Sequence, residues 1–70
     1  MTGPELKAIR NRLGLSVVQM GRAIGYEGAD KSVAVMIHRL EAPNGRPIPP
    51  YVVRLAIMFD LWGVPPEYLG

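Results

Sequence analysis

At 70 residues the chain is the size of one small domain spanning 1–70, and its 49% apolar content supplies a core and argues against disorder. It has no cysteine and one histidine, His38, which excludes a disulfide framework, a thiolate metal site and a histidine-rich metal site, and no cofactor is expected. The net charge of +2 is modest but concentrated: residues 31–46 hold Lys31, Arg39 and Arg46 against Glu41, whereas residues 1–30 come to +1 and residues 47–70 to −1.

Caps place four helices and a short fifth. Thr2 and Glu5 have capping-box spacing, and Pro4 suits a first turn. Leu6, Ile9 and Leu13 then share one face, and Gly14 stops the helix, giving a first helix over about 3–13. Ser16 and Gln19 repeat the capping-box pattern. Met20 and Ile24, with Val17 at the edge, form the apolar stripe of a second helix over about 17–24, which ends at Gly25. Gly21 lies on that stripe and would let a neighbouring helix approach closely.

Residues 26–29 read as a loop. Asp30 is the best N-cap for a third helix over about 31–41, with Ser32 second. Val33, Ile37 and Leu40 form its inner stripe with Met36 beside them, and Lys31, Ser32, Val35, His38 and Arg39 lie opposite. Pro43 and Gly45 prevent continuation, and residues 44–50 form a stiff, proline-rich turn. A fourth helix runs from Pro50 to about Leu61 with Val52, Leu55, Ala56 and Phe59 inward. Val53, Ile57 and Leu61 form a second apolar stripe on it, so cover from another copy is expected. Met20, Met36 and Met58 are assigned to gaps in the core. After the turn at 63–66, Glu67 to Leu69 suit one last helical turn. The segment from Tyr51 to Val64 carries Arg54 and Asp60 and falls short of the ~20 residues that a membrane span needs. Glu5, Lys7, Arg10 and Arg12 stand where a signal peptide needs an apolar run, so a cytoplasmic protein with no membrane partner is expected.

Two short helices with a Gly-started connection, followed by a loop bearing Asn44, Gly45 and Arg46, suggest a helix-turn-helix over about 17–41. The third helix would be the reader. Arginine can grip guanine O6 and N7, and Ala34 and Val35 can meet a thymine methyl. The N-termini of the second and third helices present unpaired N–H groups that suit phosphate.

The ordered runs L13-G14-L15-S16, G25, I37-H38-R39-L40-E41, N44-G45-R46-P47-I48-P49 and G63-V64-P65-P66-E67-Y68-L69 span nearly the whole chain. With them the chain resembles the lambda-repressor-like, Cro/C1-type (XRE) helix-turn-helix family, a group whose docking geometry is well described. The resemblance implies an all-α, compact four- to five-helix DNA-binding domain. It places Arg39, Ala34 and Val35 where the family contacts bases, and His38, Lys31 and Ser32 complete the candidate reading set. Asn44, Gly45 and Arg46 fall in the loop that meets the DNA backbone. Ser16, Gln19 and Arg22 join them as backbone candidates, because Val17 stands where the family usually has a phosphate-contacting glutamine. The connection before Ile37 is longer than the common form. Arg10 and Glu41 fall on a pair that commonly links the first helix to the end of the third. Independently, Arg10 lies on the inner stripe between Leu6 and Leu13, where an arginine requires a carboxylate. A shorter stretch, Gly45 to Tyr51 with the valines after it, is similar to small regulators from anti-CRISPR operons.

The resulting expectation is a sequence-specific double-stranded DNA binder regulating transcription, a repressor acting as a homodimer on an inverted repeat. Val53, Ile57, Leu61, Trp62 and Tyr68 are the candidate dimer residues. The alternative is an interaction module of the same fold that grips a protein partner, as an antitoxin grips a toxin. No nucleophile–base pair, Gly-rich phosphate loop or close carboxylate pair is legible, so no enzyme is expected.

Overall fold

Reciprocal caps fix where the first two helices begin. In the computed structural model, which describes residues 1–69, α1 (Gly3–Leu13), α2 (Val17–Ile24), α3 (Asp30–Glu41) and α4 (Pro50–Trp62) follow in order, and a 3₁₀ helix covers Pro66–Leu69. Among the described residues there is no strand. The Thr2 hydroxyl accepts from the Glu5 N–H at 3.2 Å while the Glu5 carboxylate accepts from the Thr2 N–H at 2.9 Å. Ser16 and Gln19 make the same exchange at 3.1 and 2.9 Å. The bond from the Thr2 N–H, then that with its hydroxyl, holds the Glu5 carboxyl below the ordinary carboxylate range. Gly14 and Gly25 close α1 and α2 in the left-handed conformation, at φ 71° and 113°.

The start of α3 differs from the sequence expectation. Ala29 is the N-cap, and neither Asp30 nor Ser32 caps the helix. Asp30 is already helical, and its carboxylate accepts from Arg22 instead. Arg22, held by the Tyr26 and Gly28 carbonyls of the connection, places its guanidinium beside Asp30, so the carboxylate pairs across the loop instead of capping the helix.

Each helix contributes a stripe to one core: Leu6 and Ile9 from α1, Met20 and Ile24 from α2, Val33, Ile37 and Leu40 from α3, Val52, Ala56 and Phe59 from α4. The packing of α2 on α3 depends on Gly21. A Cβ there would collide with Val33 and lie 3.3 Å from Ile37, so the missing side chain is the space that α3 fills. A second close approach, not legible in the sequence, seats Gly3 on the end of α3. A Cβ on Gly3 would meet the Glu41 carbonyl at 2.6 Å. Of the three methionines assigned to core gaps, Met20 is fully buried, whereas Met36 and Met58 are exposed on the helix surfaces. Leu55 is partly buried on the core side of α4, and Trp62 is exposed at its C-terminal end.

Arg12 ties the end of α1 to α4 through two bonds to Asp60, at 2.8 and 3.2 Å. The Arg12 bond, ahead of its charge, holds the Asp60 carboxyl below its ordinary value, and the same pairing raises the Arg12 guanidinium. Both groups are largely solvated, so the pair orients the helices more than it stabilises them. No helix among the described residues is long and apolar enough to cross a membrane.

Tyr26, in the α2–α3 connection, packs on the core edge. Burial, with the Tyr51 phenol beside it, pushes its hydroxyl up to about 12. A phenol raised in the folded state favours the neutral form there. Its contribution is present below the unfolded value of about 10 and is lost as pH rises through about 12. Chemical denaturation across that interval should therefore show a stability loss in the wild type that Tyr26→Phe flattens. Identical pH profiles for the two proteins would contradict the burial argument.

Candidate nucleic-acid interface

Two arginines organise α3 from outside. Arg10 on α1 holds Glu41 in a two-pronged pair, Nε to Oε2 at 2.6 Å and Nη2 to Oε1 at 3.1 Å, and its Nη1 donates to the Leu15 carbonyl at 3.0 Å. The side chains are only 12% and 5% exposed, so this pair bolts the C-terminal end of α3 to α1 and to the α1–α2 turn. Arg22 on α2 does the same at the other end. Its guanidinium donates to the Tyr26 carbonyl at 3.3 Å, the Gly28 carbonyl at 2.7 Å and the Asp30 carboxylate at 2.8 Å. Arg22, a candidate phosphate contact, thus gathers the α2–α3 connection while its side chain stays 30% exposed.

The electrostatic consequence is specific. The two acidic residues of α3 both meet arginines from other helices: Glu41 in a nearly buried pair with Arg10, and Asp30, whose side chain is 78% exposed, in a solvated pair with Arg22 that offsets only part of its charge. The basic side chains of α3 enter no ion pair among the described residues. At 100° per residue, Lys31, Val35, His38 and Arg39 cluster on one side with Ser32 at its flank, opposite the buried Val33, Ile37 and Leu40. All five are exposed, with Val35 in the middle. Ala34 is half-buried, at the margin of this face rather than on it. From Lys31 to Arg39 the helix rises about 12 Å, the length of three to four base-pair steps.

At the start of α2 the capping box uses the oxygens of Ser16 and Gln19 as acceptors. The Ser16 hydroxyl proton and the Gln19 amide protons are left to solvent, on exposed side chains. In the loop after α3, Asn44 and Arg46 are exposed. The Gly45 N–H between them donates to the Ala42 carbonyl at 3.0 Å, which closes the turn that presents Asn44 and Arg46. Of the candidate dimer residues, Ile57, Leu61 and Trp62 stand exposed on α4, and Val53 is half-buried. Tyr68 is half exposed, with its ring edge-on to Phe59 at 6.1 Å.

Three features escaped the sequence reading. The Arg22 clamp joins residues across a loop whose path no local pattern specifies. The Arg12–Asp60 pair spans 48 positions. Arg54, charged and exposed beside the apolar residues of α4, did carry a signal: it is the lone cation of an otherwise apolar helix with Asp60 its only other charge. No group of three or more His, Asp or Glu side chains that could hold a metal lies among the described residues. Comparison with known protein families, with curated proteins and with solved structures finds no match to this chain.

Proposed function

We propose that this chain is a sequence-specific double-stranded DNA-binding regulator of transcription, with α2 and α3 as a helix-turn-helix and α3 as the reading helix. The observation that carries the reading is the outer face of α3, on which Lys31, His38 and Arg39 stand exposed and without ion-pair partners around Val35, while Glu41 is sequestered by Arg10 and Asp30 is paired at the surface with Arg22. A face built this way is net positive and attracts phosphate, and it offers both a guanine-gripping group and a methyl-contacting one. Arg39, Lys31, His38, Ser32 and Val35 are assigned to base edges, with Ala34 at the margin. Ser16, Gln19, Asn44 and Arg46 are assigned to phosphates. The protein acts as a homodimer on an inverted repeat with half-sites about one helical turn apart, and it represses by occluding a promoter.

Selection of preferred duplexes from a random pool tests this reading directly. The winners should share one motif with two-fold symmetry, and a pool that yields no motif would refute it. Arg46 supplies a separate check, because a phosphate contact carries affinity and no sequence information. Arg46→Ala should weaken all duplexes alike and reduce the slope of log affinity against log salt by about 1. An unchanged slope would remove Arg46 from the interface.

A further inference from the structure

The last turn of α3 is built around one carbonyl. Pro43 has no N–H to return to the Arg39 carbonyl four residues earlier. Its ring also drives the preceding residue out of the helical conformation, and Ala42 is extended at φ −64° and ψ 141°. The chain then turns back at once, closed by the bond from the Gly45 N–H to the Ala42 carbonyl. That turn lays Gly45 on the backbone of Arg39. A Cβ at position 45 would collide with the Arg39 carbonyl oxygen and lie 3.1 Å from the Ala42 oxygen and 3.3 Å from the Ala42 Cβ. Gly45 is not in the left-handed region, so glycine is required here for space and not for backbone freedom. A Cα hydrogen of Gly45 fills that space, a weak C–H···O contact to an oxygen that proline has deprived of its helical donor. Gly3 of α1 covers the Glu41 and Ala42 carbonyls in the same way, so the turn is held from α1 as well as from α3.

We propose that Gly45 is a positioning residue: by seating the loop on the Arg39 carbonyl it makes residues 44–46 a fixed extension of the reading helix, so that Asn44 and Arg46 meet the phosphates beside the base that Arg39 contacts. The proposal rests on the DNA-binding reading above. Asn44 and Arg46 flank Gly45 and are exposed, so the seat of residue 45 sets where both side chains start. Arg46 is confined further because it precedes Pro47, which restricts its backbone to extended conformations. Its guanidinium enters no ion pair among the described residues and is available to an anion. A loop held between two prolines, closed by one hydrogen bond and seated on a helix has little freedom left to lose on binding. An unseated loop would have to be ordered at that moment, at a cost to affinity.

Duplex binding by the full chain, measured against salt, tests the role. Gly45→Ala should weaken all duplexes alike by about tenfold and lower the salt slope by about 1, as one charge-assisted phosphate contact is lost. The preferred motif should stay the same, because Arg39 and Val35 remain on the helix. Helical circular dichroism and thermal midpoint should stay close to the wild type's, since residue 45 is exposed and lies outside the helices. A general loosening of the fold would instead move the midpoint and leave the salt slope of the folded protein alone. In the Gly45→Ala background, Arg46→Ala should cost less than about twofold more, because the contact it removes is already gone. Amide exchange reads the seat without DNA: the Gly45 N–H should exchange more slowly than that of Asn44, and the difference should vanish in Gly45→Ala. Pro43→Ala reaches the same end with no clash. It returns a donor to the Arg39 carbonyl, so α3 should lengthen, the loop should leave its seat and the slope should fall by the same amount, about 1. Undiminished affinity and salt slope in Gly45→Ala, or in Pro43→Ala if the first variant does not fold, overturns the positioning role. So does an Arg46→Ala penalty that is the same with and without Gly45. In each of these cases a wild type that selects a motif keeps the DNA reading. A wild type that binds no duplex refutes that reading, and the role of Gly45 falls with it.

Discussion

Glu41→Ala is expected to lower unfolding stability by about 3–5 kcal/mol, measured by urea or thermal denaturation. The substitution strands the Arg10 guanidinium, whose side chain is only 12% exposed, with the Leu15 carbonyl as its remaining partner. A buried cation without its counter-charge is among the few single changes that reach this magnitude. A domain of this size has a total stability of only about 4–10 kcal/mol, so much of the population would unfold on mild warming. The double variant Arg10→Leu/Glu41→Leu should recover most of the loss. Removing both charges also removes the desolvation penalty, and a buried pair contributes little compared with apolar residues of similar volume. A loss below about 1 kcal/mol for the single substitution would mean that the pair does not anchor α3, and the fixed presentation of its outer face would need another cause.

Arg39→Ala is the complementary experiment: under the proposed DNA-binding reading it should leave folding intact and damage recognition. The side chain is exposed and enters no ion pair among the described residues, so its loss should change stability by less than about 0.5 kcal/mol. Binding to the preferred duplex should weaken by about 1–3 kcal/mol, and the preference for one base pair should relax while the others are kept. The distinction from Arg46 lies in that selectivity: a phosphate contact weakens all sequences together, whereas a base contact costs the correct sequence more than the wrong one. Uniform weakening by Arg39→Ala would move Arg39 from the bases to the backbone. An unaltered affinity and motif would remove α3's outer face from the interface.

Local signals placed the helices well. The two capping boxes and the glycines at 14 and 25 mark chain positions at which hydrogen bonding and backbone sterics act over a few residues, and the structure begins and ends α1 and α2 there. The inner stripe of α3 was equally legible, because burial of Val33, Ile37 and Leu40 follows from a period of 3.6 residues. The start of α3 was misjudged by the same kind of reasoning. Asp30 is a favourable cap taken alone, but the folded connection sets its carboxylate against Arg22, eight residues earlier, and nothing within three residues indicates that pairing. Met36 and Met58 were misplaced because an apolar residue beside a core stripe satisfies the periodicity whether or not a neighbouring helix reaches it.

The sequence by itself determined the helix order, the inward stripes, the concentration of positive charge in the middle third and the requirement that Arg10 find a carboxylate. Only the tertiary structure decided which charges remain free. Arg10, Arg22, Asp30 and Glu41 are paired within the chain, while Lys31, Arg39, Arg46 and Arg54 are left without ion-pair partners among the described residues. The physical reason is one of range: a cap or a stripe is settled within one or two turns of helix, whereas an ion pair depends on where distant segments pack, so the availability of a charged side chain is a property of the assembled core.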